Sequence, residues 1–146
     1  MRPLYIFDLD GTLALTDHRQ HLVRGVDTNW REFFAACVDD QPNWPVIATL
    51  RRLQISGAEC WVWSGRSDEV RAQTHDWLNK FGVSCVPKMR LEGDHTPDEK
   101  LKHGWLLSLS IDDSNRLVAV FDDRDKVVAM WREAGVACFQ VARGEF

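Results

Sequence analysis

No stretch of this sequence reaches the ~18 consecutive apolar residues that a membrane-spanning helix needs. Cysteine is sparse: Cys37, Cys60, Cys85 and Cys138 stand singly, with no C-x-x-C pair, so the spacing of a structural zinc site is absent. Cys60, Cys85 and Cys138 lie in or beside apolar, strand-like runs, and are expected to be reduced core residues. A P-loop, G-x-x-x-x-G-K-[ST], is missing, which excludes that type of kinase site. Positive charge is not in excess. The formal net charge is −4, so the chain is no general polyanion binder, and any nucleic-acid contact has to come from a local basic patch. There is no internal repeat and no low-complexity segment. The first residues already read as a strand leading to a polar cluster. That leaves no room for a cleaved signal peptide, and a cytoplasmic location is expected.

What is present is an ordinary globular composition, 45% hydrophobic and 27% charged over 146 residues, enough for one domain with a real core. The most informative stretch is Tyr5-Ile6-Phe7-Asp8-Leu9-Asp10-Gly11-Thr12-Leu13. An apolar run of strand formers ends in two carboxylates one residue apart, then a glycine turn and a threonine. Side chains two apart on a strand share a face, so Asp8 and Asp10 leave the strand end side by side. Open α/β sheets gather their ligands at that end. Like charges so close repel, and burial raises their pKa values; a divalent cation relieves both. The stretch reads as a Mg²⁺ site that handles phosphate.

Further along, residues 13–24 are polar and read as a loop leading into a short helix. Asn29 and Glu32 have the spacing of a capping box for a helix through Val38, which Asp39-Asp40-Gln41-Pro42 ends. Residues 14–43 are thus expected to form a small helical insertion over the strand tip. Pro45 opens the next helix and Gly57 suits its end. Glu59–Trp63 is a strand running into Ser64-Gly65-Arg66; Ser67 begins a helix that closes at Phe81-Gly82. Cys85–Met89 gives a short strand, residues 90–97 a polar loop, and 98 to about 109 a helix. Leu117–Phe121 is a strand ending in Asp122-Asp123-Arg124. A helix over 125–134 and a strand over 136–141 complete the pattern. Alternating strands and helices predict an α/β fold, a parallel sheet flanked by helices. Of seven tryptophans, Trp61, Trp63, Trp77, Trp105 and Trp131 sit in core patterns. Trp30 and Trp44 flank the insertion and are the ones placed to stack on a nucleobase. The histidines lack metal-ligand spacing; His18 and His21 border the strand tip.

Three strands therefore end in polar clusters, Asp8/Asp10, Ser64/Arg66 and Asp122/Asp123, and a parallel sheet brings such endings to one edge. That order, Asp8-x-Asp10-Gly11-Thr12, then Ser64-Gly65, a lysine, and Asp122-Asp123, resembles the haloacid dehalogenase (HAD) superfamily of aspartyl-phosphate phosphatases. A closer resemblance is to the 3′-phosphatase domain of phage-type polynucleotide kinase/phosphatase. It takes in Asp8 to Ala14, Arg19, Ser64-Gly65-Arg66, Gly93-Asp94, Asp98, Lys102, Trp105 and a C-terminal block from Asp122-Asp123-Arg124 through Met130-Trp131 and Gln140-Val141-Ala142 to Phe146. It weakens between Gln20 and Pro42.

The resemblance implies a HAD-like Rossmannoid sheet with the cap insertion at 14–43, in one phosphatase domain over 1–146 with no kinase domain. It implies Mg²⁺ held by Asp8, the backbone carbonyl of Asp10, and one or both of Asp122 and Asp123. Asp8 is then the nucleophile, Asp10 the general acid and base, and Ser64 a phosphate ligand. Lys102 balances the phosphoryl charge, with Asp98 one helical turn earlier expected to hold the ammonium, and Lys100 and Lys88 are the alternatives. Thr12, Arg19, Gly65, Arg66 and Arg124 fall at the substrate end, where guanidinium forks suit phosphate. The implied substrate is a 3′-phosphate end of DNA or RNA, with a separate kinase or ligase as partner and no membrane contact. The alternatives are a phosphatase of free nucleotides and a non-catalytic module that binds ends or a partner. The likeness runs through Phe146, so a complete module is expected, either free-standing or excised from a longer protein.

Overall fold

A computed structural model describes all of residues 1–146. The chain runs β1 (Leu4–Phe7), β2 (Ala14–Leu15), a 3₁₀ turn (Asp17–Leu22), α1 (Trp30–Ala35), a second 3₁₀ turn (Ala36–Asp39) and β3 (Gln41–Pro42). Then follow α2 (Trp44–Ile55), β4 (Glu59–Ser67), α3 (Arg71–Lys80), β5 (Pro87–Arg90), α4 (Asp98–Leu107), α5 (Ile111–Arg116), β6 (Leu117–Asp122), α6 (Asp125–Glu133) and β7 (Cys138–Gln140). Five strands form one sheet in the order β5-β4-β1-β6-β7, and every pairing in it is parallel. The chain moves outward from β1 through β4 to β5, then returns to β6 on the other side of β1. Strand order reverses at β1, and a crevice opens at the strands' carboxyl ends where it does.

Both faces of the sheet are buried, and β1 serves both by strict alternation. Phe7 packs with Val46, Ile47 and Leu50 of α2 and with Trp77 and Leu78 of α3. Leu4 and Ile6 pack on the opposite side with Val127, Val128 and Trp131 of α6. Trp63, Trp77 and Trp131 are buried, and Trp61 and Trp105 are partly buried against the cluster that holds Trp63 and Trp131, as their patterns predict.

The insertion begins and ends on a two-residue antiparallel ladder, Ala14 opposite Pro42 and Leu15 opposite Gln41. The capping box forms: Asn29 Oδ1 accepts from the Glu32 amide at 3.1 Å and Asn29 Nδ2 donates back to Glu32 Oε2. The ladder was not foreseen, since two residues carry no periodicity. Nor was α5, whose signal is the Ser110 side chain capping the Asp113 amide at 3.0 Å. β4 continues through Ser64-Gly65-Arg66 to Ser67, where the sequence predicts that the helix has already begun, because β5 pairs alongside it as far as Arg90. Ser67 then caps a 3₁₀ turn that leads into α3. No helix is long and apolar enough to cross a membrane.

Candidate active site

Asp8 leaves β1 with its amide donating to Phe121 O of β6 at 2.9 Å, so its backbone is pinned between the two strands. Thr12 Oγ1 donates to Asp8 Oδ2 at 3.1 Å and Lys102 Nζ donates to Asp8 Oδ1 at 2.7 Å. The same ammonium reaches Asp122 Oδ2 at 3.2 Å, and the Trp131 indole donates to that oxygen at 3.4 Å. Asp122 Oδ1 accepts the amide of Asp123 at 2.9 Å. Asp8, Asp122 and Asp123 each offer a carboxylate oxygen, all within 4.8 Å of one another. Gly11, at φ +82°, makes this possible: a side chain there would run into the Asp123 carboxylate.

Three carboxylates face one ammonium, and the balance is visible in their ionisation. Burial, then repulsion from Asp122, pushes the Asp8 carboxyl well above the usual range despite Lys102. Burial and Asp122 push Asp123 up to about 6. Burial disfavours the charged Lys102, but Asp122 and Asp8 outweigh it and its pKa is raised. With all three carboxylates ionised, two negative charges would be left uncompensated among hard oxygen donors. That donor set fits one small divalent cation such as Mg²⁺.

Asp10 faces different company. Its Oδ1 accepts Arg19 Nη2 at 2.8 Å, Arg66 Nε at 2.9 Å and Arg66 Nη2 at 2.7 Å. Burial would raise its pKa, but the Arg66 and Arg19 guanidiniums hold it below the usual carboxylate range. Both arginines also bind Asp40, and both are fully buried. Their remaining N–H groups go to Phe33 O and Thr74 Oγ1.

A cavity of about 480 Å³ opens over the strand ends, and Asp8, Asp10, Lys102, Asp122 and Asp123 line it. Trp30, Arg31 and Phe34 of α1 make one wall, and the 92–98 segment another. Trp30 is 53% exposed within that wall, whereas Trp44, equally exposed, packs edge-on against Phe81 away from the cavity. Of the two, only Trp30 remains available for stacking there.

Several sequence expectations need correction. Asp98 does not hold the Lys102 ammonium; it is clamped by Arg90 Nη2 at 2.5 Å and Arg124 Nη1 at 3.0 Å, and Asp8 and Asp122 take the lysine instead. The i,i+4 spacing is right, but charges arriving from the ends of β5 and β6 compete better than a helix neighbour. Arg19 and Arg66 do not line the cavity, because two buried carboxylates use up their forks. Thr12 is fully buried and spends its hydroxyl on Asp8. Ser64 lies buried beneath the cavity wall, accepting from the Arg66 amide at 3.1 Å; Gly65 and Ser67 line the cavity in its place. Gly65 also makes room for Asp98, whose Oδ1 lies 2.5 Å from where a Cβ would stand. The carboxylate of Asp10 is outside the three-carboxylate group. His18 binds Asp40 at 2.7 Å, while His21 is exposed.

Sequence reasoning missed two residues. Asp40 reads as a helix terminator, and nothing local distinguishes it from Asp39. Arg90 bridges Gly65 O, Asp94 O, Thr96 O and Asp98, tying β5 to β4 and α4. It was findable as a charged residue at a strand's carboxyl end.

Comparison with known proteins agrees with this geometry. The chain shares its fold with two kinds of solved structure. One is the Pnkp1/Rnl/Hen1 RNA repair complex, at a TM-score of 0.83 and 30% identity, over 99% of this chain and 44% of that one. The other is the class C acid phosphatase of Bacillus anthracis, at a TM-score of 0.70 and 13% identity, over 99% of this chain and 68% of that one, a likeness of fold alone. In sequence, the chain is 29% identical over 139 residues to a protein of Autographa californica nuclear polyhedrosis virus described as a bifunctional polynucleotide kinase/RNA ligase. The match covers 93% of this chain and 19% of the viral protein. The chain thus spans about a fifth of the viral relative and under half of the repair-complex chain. The family model for the polynucleotide kinase PNKP phosphatase domain matches residues 2–146. With its parallel α/β sheet and aspartate-tipped strands, the chain belongs to this family of HAD-like phosphatase domains.

Proposed function

We propose that this protein is a Mg²⁺-dependent phosphatase that removes the phosphate from 3′ ends of nucleic acid, leaving a 3′-hydroxyl. In this reading residues 1–146 act as one phosphatase unit with 14–43 as its cap. The observation that carries it is the pairing, within one crevice of a PNKP-type domain, of an underbalanced aspartate cluster with an arginine-held second aspartate. Relatives named for RNA repair make RNA ends the first substrate to test, with DNA ends beside them, and a kinase or ligase the natural partner.

Mg²⁺ would be held by Asp8, Asp122 and Asp123, with the Asp10 carbonyl in the family's arrangement, and supplies charge neutralisation that lets one anion approach another. The Asp8 carboxylate attacks phosphorus, an Asp8 O–P bond forms, and the bond from phosphorus to the sugar oxygen breaks. The leaving oxygen takes the electron pair and a proton from Asp10. Water then attacks the aspartyl phosphate, giving its proton back to Asp10 and releasing phosphate from Asp8. Lys102 stays on Asp8 and Asp122 and offsets charge on the transferred group. Gly65 and Arg124 serve the phosphate and strand end from the crevice edge, while the buried Ser64 hydroxyl holds the Arg66 amide. Asp98, clamped by Arg90 and Arg124, shapes that edge. Asp10 is ionised in the free protein, which suits the second step. The negative charge arriving with phosphate raises its pKa for the first.

The test is phosphate release at matched concentrations from a 3′-phosphorylated oligonucleotide, a 5′-phosphorylated one, and free 3′- and 5′-nucleotides. Each is run with Mg²⁺ or chelator, beside Asp8→Asn. Mg²⁺-dependent preference for the 3′-phosphorylated strand, abolished in Asp8→Asn, is the expected result. Faster turnover of free nucleotides would make the protein a nucleotidase, and no release from folded, metal-loaded protein would leave a binding module.

A further inference from the structure

We infer that Asp40, in the cap insertion, is a positioning residue that keeps one oxygen of Asp10 free for proton transfer. The inference rests on the proposed role of Asp10 as acid and base. Asp40 caps the 3₁₀ turn Ala36–Asp39 and is 3% exposed. Its backbone is held in turn: Asp40 O accepts the Trp77 indole at 2.9 Å, and its amide donates to Cys37 O at 3.1 Å. Oδ1 takes His18 Nε2 and Arg19 Nε, each at 2.7 Å. Oδ2 takes Arg19 Nη2 at 2.8 Å and Arg66 Nη2 at 2.9 Å.

The consequence is an unusual pairing at Asp10. A guanidinium beside a carboxylate prefers the fork geometry, one N–H to each oxygen. Arg19 adopts that fork on Asp40, Nε to Oδ1 and Nη2 to Oδ2. On Asp10, Arg66 sends both Nε and Nη2 to the same Oδ1, and the Nη2 of Arg19 joins them there. Asp10 Oδ2 accepts no hydrogen bond, and no fully buried side-chain oxygen or nitrogen in the molecule lacks a partner. Oδ2 is therefore the exposed oxygen of a carboxylate whose side chain is 25% accessible and lines the cavity. The Nη2 groups of both arginines are shared between Asp10 Oδ1 and Asp40 Oδ2. Asp40 thus draws both guanidiniums to one side. Without that pull, Arg66 or Arg19 is free to swing onto the second oxygen of Asp10 and close the fork over it. The atom that exchanges protons with the leaving sugar oxygen and with water would then be occupied. The insertion is more than a wall of the cleft in this account: it reaches under the catalytic strand end and sets which oxygen of Asp10 meets the substrate.

The test separates the proton from the phosphorus. Pre-steady-state phosphoryl transfer is measured with a 3′-phosphorylated oligonucleotide, whose leaving oxygen needs a proton, and with p-nitrophenyl phosphate, whose leaving group does not. Asp40→Asn is expected to slow the first by roughly 100-fold, the scale of a displaced catalytic group, while the nitrophenol burst changes less than about threefold. Asp10→Asn, as the reference, is expected to give the same substrate-selective pattern. Should Asp40→Asn not fold, Arg19→Met combined with Asp40→Asn removes one charge of each sign and carries the same comparison. Equal slowing of both substrates, or slowing of neither, overturns the inference. If Asp10→Asn itself fails to discriminate the two substrates, the proposed role of Asp10 falls and this inference with it. If Asp10→Asn discriminates and Asp40→Asn does not, only the inference falls.

Discussion

Asp8 and Asp10 stand two residues apart on one strand end and meet opposite electrostatic surroundings. Around Asp8, three carboxylates share one lysine, and the site carries surplus negative charge. Around Asp10, two carboxylates share two arginines, and the site is balanced. The first cluster has more carboxylates than cationic partners and fits a divalent cation; the second is balanced and ties the insertion to the sheet. The difference arises from what each neighbouring element delivers. β6 brings Asp122 and the following Asp123 to Asp8, whereas the insertion and β4 bring Arg19, Asp40 and Arg66 to Asp10.

Breaking the balanced cluster is expected to have the largest effect on stability. Arg66→Met leaves Asp10 and Asp40 with one guanidinium between them, a buried uncompensated charge that costs about 3–5 kcal/mol, measured by denaturant unfolding. The opposite sign is expected across the crevice. Asp123→Asn removes a repelling charge, so the metal-free protein melts at a higher temperature than wild type, and most of the stabilisation by Mg²⁺ in a thermal shift assay is lost.

The same cluster makes the pH dependence readable. The Asp123 carboxyl, at about 6 when folded, lies above its unfolded value, so the folded state binds its proton more tightly. Its contribution to stability is present at low pH and is lost as pH rises through about 6. Raised Asp8 acts in the same direction. Melting without metal is therefore expected to lose this contribution between about pH 4 and pH 6, and the upward shift produced by Mg²⁺ to be larger at pH 7 than at pH 5, where protons compete for the carboxylates. A metal shift independent of pH across that window would contradict the unbalanced cluster.

The smallest expected effect lies outside both clusters. Trp30→Ala removes a half-exposed ring from the cavity wall, and loss of about 1 kcal/mol of base stacking raises KM for an oligonucleotide roughly fivefold. kcat and melting temperature are expected to stay near wild type. Trp44→Ala, made beside it, is expected to leave KM unchanged because that ring packs on Phe81.

The chain's own order was enough for much of this. Alternating apolar runs predicted the parallel sheet, and the Asn29–Glu32 spacing predicted a cap that forms. Asp8, Asp10, Ser64 and Asp122 were recognisable because each sits at the carboxyl end of a strand, a position readable from sequence once strands are assigned. Lys102 is recognisable through the family resemblance, yet helical spacing points to Asp98 as its partner where the fold supplies Asp8 and Asp122. Arg19 and Arg66 read from sequence as phosphate ligands, while Asp40, which binds both, looks like any loop aspartate.

The division follows from range. Strand alternation, caps and helix ends depend on residues a few positions apart, and such patterns are present in the sequence itself. The choice of partner for a buried charge is different. Lys102 meets Asp8 across 94 residues, Arg66 meets Asp10 across 56 and Asp40 across 26. Once water is excluded, each charge has to be satisfied by whichever opposite charge the packed elements bring within reach. Local pattern is enough to say which strands carry carboxylates at their tips. It takes the packing of distant elements to leave one of those carboxylates short of positive charge and to supply the other in full.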